Sequence, residues 1–179
     1  MKDISKTERR WVIIWALLIV FAASIPYLWG ILITPQDYSF LGFTYNIDDG
    51  AVYLSWMRQA ADGNFFITNL FTSEPQSARA FNIMFLAMGN IAGFMDVPLI
   101  WVFHVFRLIF GVLLIWSIWR FSMLFVRDEA ARKLLIPLVG FSSGIGWLIS
   151  GAKAPTGPVD VWQPEAITFL SIYLNPLFL

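Results

Sequence analysis

Between Arg10 and Asp37 the chain carries no charged residue. The apolar run within that stretch, Trp11 to Ile33, is 23 residues long. At 1.5 Å per residue it reaches about 35 Å as a helix, more than the roughly 30 Å of a bilayer's hydrocarbon layer. A membrane-spanning helix is predicted over 11–33. Trp11 and Trp15 near one end and Tyr27 and Trp29 near the other suit the aromatic belts of the two interfaces. Ala22-Ala23-Ser24 has the small residues of a signal-peptide cleavage site, yet the apolar run continues well past it, so a span is the better reading.

Composition points the same way. Of the 179 residues, 58% fall in the AVILMFWYC set and only 13% are charged, whereas soluble domains carry roughly 25% charged residues. An ordinary water-soluble enzyme domain is thereby excluded. Twelve Lys and Arg balance twelve Asp and Glu, which leaves no basic excess to draw in nucleic acid by counterion release. The absence of Cys removes disulfides, thiolate nucleophiles and Cys-based metal sites together. Chemistry must come from carboxylates, the single His, hydroxyls or a bound ligand.

Two further apolar stretches read as spans. Leu99 to Val126, interrupted by His104, Arg107 and Arg120, runs into the charged stretch Arg127 to Lys133; Leu134 to Ser150 carries Pro137, Gly140, Gly144 and Gly146, which membrane helices tolerate better than soluble ones. Ala80 to Met95 is apolar too, but its 16 residues would cover only about 24 Å as a helix. The positive-inside rule decides how to treat it. With three spans, at about 11–33, 99–126 and 134–150, the amino-terminal segment and the Arg127 to Lys133 loop share the cytoplasmic side, and these hold seven of the twelve Lys and Arg. Ala80 to Met95 is then interfacial or re-entrant, with Gly89 and Gly93 as a G-x-x-x-G pair for close packing against a neighbouring helix. The expected fold class is all-α: a polytopic transmembrane helical bundle, multi-pass in the cell membrane with a cytoplasmic amino terminus. Outward loops are expected at 34–98 and 151–166. The final apolar run, 167–179, ends without a polar tail, as expected of the amino-terminal part of a longer membrane protein.

Eight of the twelve carboxylates lie on or near the outward side. Asp48 or Asp49 is expected to cap a helix that stops at Gly63. Within it Tyr53, Met57 and Ala60 share one face, and Arg58 and Asp62 can pair at i, i+4 on a wetter one. A cap accounts for one aspartate and leaves the second as a candidate site residue. In the stretch Asp160-Val-Trp162-Gln-Pro164-Glu165, Pro164 and Glu165 suit a helix start, and Trp162 is either an interfacial anchor or a stacking surface for a sugar ring. His104 and Arg107 lie three residues apart on one helical face. Burying Arg107 costs about 2.5–3.5 kcal/mol on insertion scales, so it needs an internal partner or a watery cavity, and a phosphate would suit it. His104 is a packing residue bonded to a carbonyl or hydroxyl before it is a metal ligand, since one His without Cys does not make a transition-metal site.

The order of these features resembles the GT-C superfamily of integral membrane glycosyltransferases, of the protein mannosyltransferase and aminoarabinose transferase types. The resemblance lies in a first span running outward, the acidic pair Asp48-Asp49 followed by Tyr53-Leu-Ser-Trp-Met-Arg58-Gln-Ala-Ala-Asp62-Gly63, the short apolar Ala80 to Met95, the Arg107-bearing span, and the acidic Asp160-Val-Trp-Gln-Pro-Glu165 stretch. It covers nearly all of this chain but only the amino-terminal part of such an enzyme. Many relatives carry Asp-Glu where Asp48-Asp49 stands, so the match does not say which of the two is the catalytic position.

The resemblance implies juxtamembrane helices in the first outward loop. It also implies transfer of a sugar from a polyprenyl-phosphate carrier to a glycan, lipid or protein acceptor at the non-cytoplasmic face. Asp48 or Asp49 would be the general base. Arg107, with His104 beside it, would neutralise the leaving phosphate, and Asp160, Glu165 and Trp162 would bind donor or acceptor. No cofactor is implied with certainty; a divalent cation held by oxygen ligands is optional in the superfamily. The rival class is a non-enzymatic polytopic membrane protein, a transporter half or scaffold subunit, in which the same polar residues form a conduction or packing network.

Overall fold

The computed structural model describes residues 5–143 and 167–178. The regular secondary structure of the described residues is helical, apart from one isolated antiparallel bridge between Ile67 and Ala80. The helices are α1 (Lys6–Ile33), α2 (Ile47–Ala61), α3 (Ile83–Met95), α4 (Leu99–Ser122), α5 (Glu129–Gly140) and α6 (Thr168–Leu174), followed by a 3-10 turn at Pro176–Phe178. α1 and α4 are long and apolar enough to cross a membrane. α3, at 13 residues, reaches only about 20 Å.

The chain divides into two compact units, one made of Met1–Ile25 with Arg107–Leu179 and the other of Pro26–Phe106. In the first, α1 turns Val12, Ala16, Ile19, Val20 and Ala23 to one side, and these close on Ile115 and Trp119 of α4, Ile136 of α5 and Ile172 of α6. The spacing i, i+4, i+7, i+8, i+11 is that of one helical face. Gly111 and Gly140 let neighbours approach, Gly111 facing Val20 and Ile172 and Gly140 facing Ile19.

In the second unit α2 lies against α3. Phe85, Met88, Gly89 and Ala92 of α3 are buried with Met57 and Ala60 of α2, and Val102 and Phe103 of α4 complete the core. A Cβ on Gly89 would collide with the Met57 carbonyl and the Ala60 side chain, and one on Gly93 would stand 2.8 Å from the Ala61 carbonyl. The Gly89/Gly93 pair is thus a close-packing seam, the neighbouring helix being α2. Tyr53 stacks on Phe85 at 4.9 Å between ring centroids. Arg58 and Asp62 pair at 3.7 Å on the exposed side. α2 ends where expected, at a left-handed Gly63 (φ 90°).

Three expectations about helix limits are corrected. Neither Asp48 nor Asp49 caps α2: the N-cap is Asn46, at a left-handed φ of 53°, and the aspartates sit in the first turn. Asn tolerates that backbone region better than most residues. α4 closes at Ser122 rather than Val126. The Ser122 hydroxyl donates to the Trp119 carbonyl, and residues 122–126 fold into successive turns. The predicted third span does not run as one helix from Leu134 to Ser150. Asp128 caps Ala131 N–H at 2.7 Å and starts α5 at Glu129; the helix stops at Gly140, where the Ser142 hydroxyl donates to the Val139 carbonyl. Residues 144–166, and with them the second outward loop, lie outside the described residues.

Candidate functional site at the start of α2

Asp48 and Asp49 are both exposed, at the second and third positions of α2. The Asn46 side-chain amide donates to Asp49 Oδ2 at 2.6 Å, tying the cap to the first turn. Asp48 makes no side-chain hydrogen bond or ion pair with another described residue.

What holds this turn is a set of contacts from α1 and α4. Gly42 adopts a left-handed φ of 87°, a conformation that suits Gly and few other residues. It turns its carbonyl toward α4, where His104 Nε2 lies 2.9 Å from the oxygen. A carbonyl only accepts, so Nε2 carries the proton and donates. The His104 ring sits edge-on to Tyr27 of α1, 4.8 Å between centroids. The next residue, Phe43, packs edge-on against Phe103 at 5.4 Å. Its ring also lies over Gly50, where a Cβ would stand 2.8 Å from the ring carbons. The acidic turn is thus buttressed by Tyr27, His104, Phe103 and Phe43, all within the Pro26–Phe106 unit.

Beyond α2 the loop is ordered by glutamines. Gln59 donates to the Thr68 carbonyl at 3.0 Å and accepts from the Thr68 N–H and hydroxyl at 2.9 and 3.1 Å. Gln76 donates to the Asn69 carbonyl and accepts from its N–H, at 2.8 and 3.1 Å. The stretch between α2 and α3 is therefore shaped, although it has almost no regular secondary structure.

Arg107 belongs to the other unit. It is 2% exposed and donates to the Ile172 carbonyl at 3.0 Å and to the Ser24 hydroxyl at 2.9 Å. The Ser24 hydroxyl in turn donates to the Val20 carbonyl at 2.7 Å. The internal partners that burial demands are present, on α1 and α6. His104 and Arg107 are neighbours on α4, yet each is committed to different groups. Asp160, Trp162 and Glu165 lie outside the described residues. Among the described residues no three His, Asp or Glu side chains converge as metal ligands.

One polar cluster escaped sequence reasoning. Glu8, 1% exposed, receives two hydrogen bonds from Arg132, Nε to Oε1 and Nη2 to Oε2, both at 2.7 Å, and a third from the Trp119 indole at 2.8 Å. The hydrogen bond to Glu8 holds the Arg132 guanidinium above its ordinary pKa. Nearby, the Ser5 hydroxyl donates to Glu129 at 3.1 Å and Lys133 to the same carboxylate at 2.6 Å. Those bonds, that from Lys133 first, draw the Glu129 carboxyl below the usual range. The available signal was Ser5-Lys-Thr-Glu8 ahead of the apolar run, the S-x-x-E pattern of a capping box. Ser5 does cap the Glu8 N–H at 3.0 Å, while the Glu8 carboxylate turns to Arg132.

Comparison with protein-family models, with curated proteins and with solved structures finds no match to this chain. Its function has to be argued from the residues themselves.

Proposed function

We propose that the chain is the amino-terminal part of a GT-C-like membrane glycosyltransferase that moves a sugar from a polyprenyl-phosphate carrier to an acceptor at the non-cytoplasmic face. The observation that carries this reading is the exposed Asp48 in the first turn of α2, uncommitted to other described side chains and set on a loop braced by His104 and Phe43. A carboxylate in that condition is suited to accept a proton. As the acceptor hydroxyl attacks the anomeric carbon, the new C–O bond forms, the bond to the carrier phosphate breaks, and the hydroxyl proton passes to Asp48. Asp49, already accepting from Asn46, holds the turn in register. In this reading the basic residues at the amino terminus and in the Arg127 to Lys133 loop are cytoplasmic by the positive-inside rule, and the α2 turn faces outward in a multi-pass protein of the cell membrane.

A second reading, a non-catalytic transporter half or scaffold subunit, is favoured by one observation. Arg107 spends two of its hydrogen bonds on Ser24 and Ile172, as a packing residue would. Sealed membranes containing the full-length protein separate the two. The transferase reading expects sugar from a labelled polyprenyl-phosphate donor to reach an acceptor supplied only at the external face. No transfer to any hydroxyl acceptor, with the protein inserted and folded, would favour the scaffold.

A further inference from the structure

α1 and α4 run antiparallel in the first unit, with Glu8 bonded to Trp119 at one end and Val20 facing Gly111 further along. Where α1 begins and α4 finishes, a chain of contacts fixes a guanidinium on the outside of the pair. The Glu8 carboxylate accepts from the Trp119 indole, Trp119 packs edge-on against Trp116 at 4.7 Å between centroids, and the Arg9 guanidinium lies over the Trp116 ring, 5.6 Å from its centroid. Arg120 follows Trp116 by four residues and so stands on the same side of α4, as Lys6 stands one turn ahead of Arg9 on α1. These three cations are exposed, and none makes a side-chain hydrogen bond or ion pair with another described residue. The carboxylates of α1 and α5 are committed elsewhere: Glu8 to Arg132 and Trp119, Asp128 to the Ala131 N–H, and Glu129 to Ser5 and Lys133. A ring face attracts a cation but offers it no oxygen, so the two-pronged pairing of guanidinium with phosphate stays open at Arg9.

Below the charged end the same sides of both helices turn apolar. Ile13 and Leu17 follow Arg9 along α1 at i+4 and i+8, and Leu113 and Ile109 precede Trp116 along α4 by three and seven residues; their exposures run from 39% to 56%. We propose that Arg9 and Arg120, brought to one place by the Trp116 ring, bind the phosphate of an anionic phospholipid whose acyl chains lie along Ile13, Leu17, Leu113 and Ile109. The level is that of a headgroup: Arg9 stands just ahead of the charge-free run that begins at Trp11, and Arg120 lies in the last turn of α4. Two guanidiniums with no carboxylate paired to them favour an anionic lipid over a zwitterionic one, whose choline would meet like charge. The apolar track beneath them favours a lipid over a soluble phosphate. This inference rests on α1 and α4 as spans and not on Asp48 as a base.

Full-length protein in a neutral detergent is titrated with phosphatidylglycerol or phosphatidylcholine, and the lipid retained on each molecule is counted by native mass spectrometry. The parent should hold phosphatidylglycerol in preference to phosphatidylcholine. Arg9→Gln and Arg120→Gln should each weaken phosphatidylglycerol binding roughly fivefold, the effect of one basic residue near a headgroup, with Tm unchanged because both side chains are exposed. Arg10→Gln removes the same charge from the same end of α1 but about 100° further round the helix, and it should retain lipid as the parent does. Undiminished binding by the first two variants, or an equal loss in all three, would overturn the site, the latter by showing diffuse attraction to a basic end. Equal retention of the two lipids would overturn it as well. Displacement of phosphatidylglycerol by an equal concentration of glycerol phosphate would reveal a site for a soluble anion and overturn the lipid assignment.

Discussion

His104 of α4 donates its Nε2 proton to the carbonyl oxygen of Gly42 across 2.9 Å, binding this long apolar helix to the loop that delivers Asp48 and Asp49. The donor lies 62 residues from its acceptor in sequence. Its effect is local: Gly42 fixes where Phe43 enters, Phe43 covers Gly50, and Gly50 is the residue after the acidic pair. His104 is a positioning residue in this account.

Replacing His104 with Ala leaves the Gly42 carbonyl without its donor and opens space beside Tyr27. The expected loss is about 1–3 kcal/mol of stability, read as a lower Tm in detergent. Sugar transfer should fall with it through the rate rather than the donor KM. His104→Gln, which can still donate to a carbonyl, should recover part of the rate. Loss of stability with an unchanged rate would make the contact purely architectural.

Gly89 sits where α3 meets the Met57 carbonyl and the Ala60 side chain. Gly89→Ala forces these helices apart and should cost about 1–3 kcal/mol as an overpacked contact, although Ala is the better helix former. The check is thermal unfolding of the variant beside Ala87→Gly on the exposed face of the same helix, where only the propensity cost of about 1 kcal/mol applies. Equal stability of Gly89→Ala and the parent would deny the seam.

Arg132 forms a two-pronged pair with a carboxylate that is almost fully buried. Arg132→Met leaves Glu8 charged with only the Trp119 indole to bond, and should cost about 3–5 kcal/mol. Removing both charges, in Glu8→Leu/Arg132→Met, should return a large part of that loss, because no buried charge is left behind. Unfolding midpoints of the two single variants and the double variant give the coupling directly. Additive losses would show that the pair is not coupled.

Parts of this fold were legible because they are written in local spacing. The charge-free run at α1, the Gly63 stop of α2, the Arg58–Asp62 pair and the Gly89/Gly93 seam are each decided by residues within a turn or two of one another. The misplaced helix ends have local causes of another kind: Asn46 takes the N-cap position in a left-handed conformation, and the hydroxyls of Ser122 and Ser142 donate to the carbonyls of Trp119 and Val139 that the next helical N–H groups would use. Periodicity carries no signal for those. The partners of Arg107 and Glu8 lie 65 to 124 residues away. A buried charge announces that it needs a partner, but which carbonyl or guanidinium answers depends on how the helices pack. At the candidate site the acidic pair itself was visible in the sequence, whereas the bond between Asn46 and Asp49, which separates the roles of the two aspartates, was not.

The most direct measurement compares sugar transfer by full-length protein carrying Asp48→Asn with that carrying Asp49→Asn, at equal membrane insertion. Loss of a positioned general base lowers turnover by roughly 10²–10⁴-fold. The account predicts a loss in that range for Asp48→Asn and a smaller one for Asp49→Asn. Undiminished transfer by Asp48→Asn would contradict it.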